Sequence, residues 1–336
     1  MPREVFRITS DSGIPLVGSV GFGLIDRGTN VIQVRPTSIC PLSCIFCSTD
    51  AGPRSRRRLT EYMVELDYLV DEFRRLVRVK DCRFIEAHID TVGDPLTYPK
   101  LPDLCQALKE TPGVEVVSLQ THGYLLTEKL VDRLEAAGLS RINLSIDSLD
   151  PELARKLSGT ESYDVERVVG LAEYIAASKI DLLIAPVWVP GVNDGDIERL
   201  IELALKIGAG KRWPPLGIQK MLIHKHGRKP KGVKPMSWGE FYRRLRRLER
   251  SYGVKLVLKP EDFGTHRCRG LPLVFRRFEK TWVKLVGPGL FRGEKLGVAR
   301  GRVLTVVDAE EAPIGSRIRV KVIRVKDNIY MARFEP

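Results

Sequence analysis

Residues 37–50 read Thr37-Ser38-Ile39-Cys40-Pro41-Leu42-Ser43-Cys44-Ile45-Phe46-Cys47-Ser48-Thr49-Asp50, directly after a β-branched run from Asn30 to Arg35. Three cysteines at Cys-x3-Cys-x2-Cys spacing on one short loop are a thiolate donor set. A cubane [4Fe–4S] cluster has four irons and usually takes four thiolates, so a loop offering three leaves one iron open to another ligand. A zinc knuckle requires four ligands, and no further Cys or His lies within thirty residues of Cys47. The loop is therefore read as a cluster site with Cys40, Cys44 and Cys47 as the metal ligands.

Outward from this loop, β-branched runs alternate with amphipathic stretches from about residue 29 to 260, the rhythm of a parallel sheet. Expected strands are Val31–Arg35, Arg83–Ala87, Val114–Leu119, Ile142–Ile146, Leu182–Trp188 and Leu216–Leu222. Met63, Leu66, Leu69, Val70, Phe73 and Val77 mark a helical face, with Thr60 placed to cap it. Leu125–Gly138, Val165–Ser178 and Asp194–Ile207 repeat the pattern, the last with Asn193 or Asp194 as cap. Residues 1–28, broken by Gly13, Gly18, Gly21 and Gly23, read as a lead-in hairpin. The expected organisation is that hairpin, an α/β core over 29–275, and a small β-barrel over 276–336.

The spacing of Cys40, Cys44 and Cys47 resembles the signature of the radical S-adenosylmethionine (SAM) enzymes, and further motifs follow in that family's order. The resemblance implies an open (β/α)6 partial barrel with reactive groups at the C-terminal ends of its strands. It also implies two cofactors, a [4Fe–4S] cluster and SAM, whose reductive cleavage releases a 5′-deoxyadenosyl radical. Val92-Gly93-Asp94-Pro95 resembles the family's Gly-Gly-Glu-Pro segment, departing from it at Val92 and Asp94. Gln120-Thr121-His122-Gly123 resembles its Thr-Asn-Gly, with His122 in place of Asn. Asn143 to Glu152 is similar to the Ser-Leu-Asp segment, and Trp188 to Asp194 to the stretch beside the adenine. The resemblance thus implies SAM contacts from Phe46, Gly93, Asp94, Thr121, Ser145, Asp147 and the backbone at Gly191. Ser145 and Asp147 are expected on one strand face, pointing into the barrel.

After residue 275, short strand-like runs alternate with Gly and Pro turns, as in a five-stranded barrel of the OB type. Ala299-Arg-Gly-Arg-Val-Leu-Thr-Val-Val307 and Ile314-Gly-Ser-Arg-Ile-Arg-Val-Lys-Val322 resemble a TRAM domain, a small barrel attached to tRNA-modifying enzymes. The formal net charge is +13, a surplus that favours a polyanionic partner through counterion release. Abundant Arg and scarce Gln also suit a heat-adapted protein, but heat adaptation enriches both signs of charge. Expected RNA contacts are Arg54, Arg56, Arg57 and Arg58 behind the cluster loop, with Arg300, Arg302, Arg317, Arg319 and Lys321 on the small barrel.

Of the remaining cysteines, Cys105 and Cys82 read as packing residues. Cys268, in Gly264-Thr-His-Arg-Cys-Arg-Gly270, is a candidate catalytic thiol. The composition is that of a soluble globular chain, with 43% hydrophobic and 29% charged residues. No apolar run approaches the roughly 18 residues of a membrane span. The opening residues lack the apolar core of a signal peptide, so a cytoplasmic location is expected. Together these features predict a radical SAM enzyme that modifies a base in RNA, tRNA foremost, by methylation or methylthiolation. Its expected electron donor is a ferredoxin or flavodoxin. Two alternatives stand beside it: a small-molecule or peptide substrate, as in molybdopterin-precursor synthesis, and a non-catalytic Fe–S RNA-binding protein.

Overall fold

The computed structural model describes residues 3–335, so residues 1, 2 and 336 of the expected segments lie outside it. Strands β1 (Glu4–Ile8), β2 (Gly23–Asp26), β3 (Val31–Arg35) and β4 (Thr60–Val64) precede helix α1 (Leu66–Lys80). Then come β5 (Ile85–Ile89), α2 (Leu101–Lys109), β6 (Val114–Thr121), α3 (Glu128–Ala136) and β7 (Arg141–Leu144). Helices α4 (Pro151–Ser158) and α5 (Val165–Ala177) lead to β8 (Asp181–Ile184) and β9 (Val187–Trp188). Helix α6 (Asp194–Lys206), β10 (Gln219–Lys220) and α7 (Trp238–Tyr252) complete the core.

The main sheet runs β2-β3-β5-β6-β7-β8, parallel throughout except where β2 meets β3. This is the expected partial barrel, its parallel strands bearing buried apolar residues such as Ile32, Val34, Ala87, Val117, Ile142 and Leu182. Its sixth unit is thin: Leu216 bridges Ile184, and β10 pairs with β9 over two residues. Pro214 and Pro215, which lack donors, stand directly before the expected strand Leu216–Leu222, and Gly217 within it lacks a side chain. Pro186 likewise divides the expected Leu182–Trp188 into β8 and β9.

Two local readings are corrected. Residues 3–28 form no hairpin of their own: β1 pairs in parallel with β4, and β2 pairs antiparallel with β3. Thr60 therefore begins a strand and does not cap α1, which starts at Leu66 behind Glu65. Elsewhere the caps are side-chain oxygens, Thr127, Asp150, Asp164 and Ser237 accepting from the first turns of α3, α4, α5 and α7. Asn193 stands at the cap position of α6, yet its amide donates to the carbonyls of Asp147 and Val187.

Strands β11 (Lys280–Pro288), β12 (Lys295–Ala299), β13 (Arg302–Val307), β14 (Arg317–Lys326) and β15 (Ile329–Phe334) close a barrel in the order β11-β12-β13-β15-β14. The five strands match the sequence reading, and Phe275, Leu285, Leu304, Val320 and Tyr330 fill a core separate from that of the α/β domain. Arg300 and Gly301 form the β12–β13 turn, both at positive φ (51° and 66°), the conformation of a type I′ hairpin. The small barrel docks on the N-terminal segment and on the loop behind the cysteines. Tyr330 N donates to Gly18 O at 3.0 Å, and Leu59 N to Leu290 O at 2.9 Å. At Gly18 a Cβ would stand 1.9 Å from Val303 O, so only glycine permits this approach. Among the described residues no helix is long and apolar enough to cross a membrane.

Glu294 lies buried at this junction, where its carboxylate accepts from Phe291 N at 3.2 Å. Burial pushes its pKa up to about 7, against the lowering effects of that hydrogen bond and of Lys225. Because the folded value exceeds the unfolded one, its stabilising contribution is complete below the unfolded pKa and is lost as pH rises through about 7. Glu294→Gln, neutral at every pH, is expected to match wild-type thermal stability near pH 4 and to exceed it above pH 7. The expected difference is roughly 3 kcal/mol at most, read by calorimetry across that range. Parallel curves for the two proteins would show that the buried carboxyl has no such role.

Candidate active site

Strand β3 delivers the cysteine loop to the C-terminal edge of the sheet, where α4 holds it from one side. Ser43 N and Ile45 N donate to Ser158 O and Leu157 O, each at 2.9 Å. Cys47 N closes a turn on Cys44 O at 3.1 Å, and Ala51 N donates to Cys47 Sγ at 3.2 Å. Glycine is required at Gly52 and Gly159, where a Cβ would stand 1.6 Å from Leu42 O and 2.2 Å from Ser43 O. Burial raises the pKa of the Cys40 and Cys44 thiols well above the ordinary range, with the charge of Asp94 adding at Cys40 and that of Cys40 adding at Cys44. Three thiolates gathered here require a compensating positive charge, which a bound metal centre supplies.

Two arginines fix the outside of this loop, and the sequence reading had assigned neither to that task. Arg58, expected on the RNA surface, is fully buried. It donates to Ser38 O at 2.7 Å, Thr49 O at 3.0 Å, Thr49 Oγ1 at 2.8 Å and Val92 O, and pairs with Glu61 at 2.9 Å. It thus couples the cysteine loop to the loop of Gly93. Arg228, from the basic stretch 225–234, donates to Cys44 O at 3.0 Å and pairs with Asp50 at 2.8 Å. Its own N–H donates to Cys47 O at 2.7 Å. The one signal for Arg58 in the sequence is Glu61, an opposite charge three residues on.

The Gly93 loop lies against the cysteine loop. A Cβ on Gly93 would stand 2.2 Å from Ile39 O and 2.3 Å from Ser38 O, and Asp94 N donates to Ile39 O at 2.9 Å. The Asp94 carboxylate joins strand ends, accepting from Thr121 Oγ1 at 2.9 Å, His122 N at 3.1 Å and Leu96 N at 3.0 Å. Thr121 and Asp94 therefore support one another, while both line the cavity. His122 brings Nε2 to 4.0 Å from Cys44 Sγ.

A cavity of about 630 Å³ opens between these loops, lined by the three cysteines, Phe46, Gly93, Asp94, Thr121 and Ser145. Two expected contacts are absent from its wall. Beyond Leu144 the strand ends, so Ser145 and Asp147 do not share a strand face. Ser145 accepts from Gln120 Nε2 at 2.7 Å, whereas Asp147 turns away to accept from Val187 N at 2.8 Å. Burial raises the Asp147 pKa, partly offset by His122. Gly191 is exposed in the turn before α6, its N–H donating to Asp194, and Val187 lines the cavity on that side. The far wall holds Arg35, His88, Asp90, Gln120 and Lys220, which the sequence reading had left unassigned. Arg35 pairs with Asp90 at 3.1 Å, and burial lowers the pKa of His88, whose Nδ1 is 2.7 Å from Ser118 Oγ. Their polar character at the ends of β3, β5, β6 and β10 is the signal the sequence offers.

Cys268 is not in this site. Cys268 N donates to Gly28 O at 3.0 Å, which places it at the opposite, N-terminal ends of the strands, disulfide-bonded to Cys82. Cys268 therefore does not reach the cavity, contrary to the expected catalytic thiol, and Cys82 is its partner and not simply a packing residue. Cys105 is fully buried in α2, as read. Of the RNA candidates, Arg54, Arg56 and Arg57 are exposed beside the loop. Arg300 is held by Glu279 and Val274 O, and Arg302 sits half-buried across the turn. Arg317 and Arg319 are exposed and Lys321 half-buried.

The open α/β barrel gathers three thiols, a glycine cradle and polar strand ends around one cavity. A model of the Radical SAM superfamily matches residues 34–204. An uncharacterized protein of Methanocaldococcus jannaschii is 43% identical over 95% of this chain and 78% of its own length. The GTP 3′,8-cyclases of Chlorobaculum tepidum and Hydrogenovibrio crunogenus are 29% and 31% identical over 53% and 56% of this chain, and over 50% and 55% of theirs. The chain thus spans about half the length of those cyclases. Streptococcus suis SuiB bound to S-adenosylmethionine shares the fold, with a TM-score of 0.50 and 19% identity over 66% of this chain and 47% of SuiB. The chain belongs to the radical SAM superfamily. A [4Fe–4S] cluster and SAM are its cofactors, and the three converging thiols fit a cluster with one open iron.

Proposed function

We propose that this radical SAM enzyme modifies a base in RNA, tRNA foremost, and works in the reducing cytoplasm with a ferredoxin or flavodoxin as electron donor. Bound together, the cluster and SAM supply a 5′-deoxyadenosyl radical. The protein's own part is to orient SAM with the Gly93 and Thr121 loops and hold the substrate against Arg35, Asp90, Gln120 and Lys220.

One observation carries the RNA reading: the outward face of the β11–β14 ribbon. Cross-strand neighbours there are Lys280 with Lys321, Trp282 with Arg319, and Lys284 with Arg317. Like charges directly opposite destabilise a sheet, by about 0.2–1 kcal/mol per pair, so their accumulation favours a polyanion that neutralises them. Trp282, 52% exposed at the centre with the Arg317 guanidinium 5.6 Å from its ring, offers a face for a stacked base. Among the described residues, Glu335 is the one carboxylate paired with this patch, through Lys280. Arg54, Arg56 and Arg57 extend the positive surface beside the cysteine loop, against which the small barrel docks.

Replacing Arg317, Arg319 and Lys321 together by alanine is expected to weaken tRNA binding uniformly across sequences. The log–log salt dependence should become shallower by about 3, while SAM cleavage without RNA stays unchanged. Undiminished tRNA affinity in the triple variant would remove the ribbon from the account. The similarity to GTP 3′,8-cyclases favours a second reading, a free purine nucleotide in the same cavity. Stimulation of 5′-deoxyadenosine formation by GTP and not by tRNA would select it.

A further inference from the structure

Cys82, His266 and Cys268 converge from segments far apart in the chain, on the barrel floor. Residues 264–268 are fastened there as a short bridge: Asn30 N donates to His266 O at 3.0 Å, His266 N to Asn30 Oδ1 at 2.9 Å, and Thr29 bridges Arg267. Cys82 arrives from the other side, one residue beyond the left-handed cap of α1 at Asp81. The Cα atoms of Cys82 and Cys268 are 5.8 Å apart and their sulfurs are bonded. A disulfide needs no third group. Yet His266 Nε2 lies 3.8 Å from Cys82 Sγ, and all three donor atoms fall within 4.8 Å of one another.

His266 is oriented as a ligand would be. Its Nδ1 is 3.1 Å from Gly264 O. A proton on Nδ1, donated to that carbonyl, leaves the Nε2 lone pair facing the sulfurs, the arrangement that fixes the tautomer of metal-binding imidazoles. Two thiolates and an imidazole are a borderline-soft set suited to zinc. With Zn–S near 2.3 Å and Zn–N near 2.0 Å, tetrahedral donors stand about 3.5 Å apart, close to the 3.8 Å between His266 Nε2 and Cys82 Sγ, while the two bonded sulfurs must part once the disulfide is reduced. Cys82 and Cys268 are half-buried and His266 is exposed, which leaves a path for an ion.

We propose that in the reduced protein Cys82, His266 and Cys268 bind a zinc ion, with the fourth position open to solvent. The site pins the segment leading to the small barrel onto the floor of the large one, a strand's length from the cluster loop. Reduction of the disulfide takes two electrons from a phosphine, which becomes the phosphine oxide while water supplies its oxygen and both protons, or two electrons and two protons from a dithiol, which becomes its own disulfide; either route yields two thiols. Zinc binding then releases both thiol protons. The inference rests on the family reading only in that a cluster enzyme works where thiols stay reduced.

The test uses full-length, anaerobically reconstituted protein reduced with a phosphine, supplied with Zn2+ and equilibrated against a competing chelator. Zinc and iron per chain are measured by mass spectrometry. The expected result is one zinc per chain in addition to the cluster iron, with zinc affinity falling at least about 100-fold in His266→Ala and iron content unchanged. His266→Ala retains both cysteines, so a disulfide staple alone predicts no effect of this substitution. Absence of zinc from the reduced wild type, or equal zinc in wild type and His266→Ala, overturns the proposal. The double variant Cys82→Ser/Cys268→Ser should match the loss seen in His266→Ala.

Discussion

Cys44→Ala protein is expected to fold, to fail to retain a stoichiometric cluster, and to form no 5′-deoxyadenosine above background. Cys44 is the middle ligand and among the more deeply buried of the loop, and its alanine variant removes only the 4.0 Å contact with His122 Nε2. The loop itself is held by backbone bonds to α4 and by Arg228, none of which uses the Cys44 sulfur. Two remaining thiolates cannot fill the positions of three on a cubane cluster. Folding loss should therefore be small, about 1 kcal/mol, while turnover falls at least about a thousandfold, since no other group can reduce SAM. Iron and sulfide assays, circular dichroism and product chromatography read the three quantities. Retention of wild-type activity with two loop cysteines would break the assignment of the cluster site.

The second large effect is expected from Arg58→Met. The side chain is wholly buried and serves three backbone carbonyls as well as Glu61. Removing one member of a buried ion pair costs about 3–5 kcal/mol, largely because the other charge is left without a partner. Glu61 retains Arg3 at 3.0 Å and Ser38 Oγ at 2.5 Å, which places the expected loss toward the lower end. The double variant Arg58→Met/Glu61→Gln should recover part of the stability. It should not recover SAM affinity, because the carbonyls of Ser38, Thr49 and Val92 still lose the donor that ties the two loops. A weakened SAM affinity with unchanged iron content distinguishes this positioning role from simple unfolding. Equal recovery of stability and SAM binding in the double variant would contradict it.

Local pattern carried much of the fold. The β-branched segments, with Leu216–Leu222 the exception, and the five short strands after residue 275 formed the sheet and the barrel that their patterns implied. Failures occurred where long-range pairing decides. Thr60 looks like a cap ahead of a helical stripe, but β1 recruits Thr60–Val64 as a strand from 56 residues away, Glu4 facing Thr60. Asp147 follows Ser145 at strand spacing, but the strand stops at Leu144 and the side chain turns to Val187 N. Charge was the least legible property. Arg56 and Arg58 are neighbours of like type, yet one is exposed and the other is a buried tie between two loops. Nothing in the string distinguishes them except the Glu61 that follows. Cys268 misled for the same reason: its basic, glycine-flanked loop suggested reactivity, while its distance from the cysteine loop is set by the barrel's topology.

The most direct test of the central claim is mass spectrometry of nucleosides from tRNA incubated anaerobically with reconstituted protein, SAM and a low-potential reductant. A new SAM-dependent nucleoside is expected, absent with Cys44→Ala, whose mass identifies the group transferred. Unchanged nucleosides while 5′-deoxyadenosine accumulates would contradict the claim and assign the cavity to another substrate.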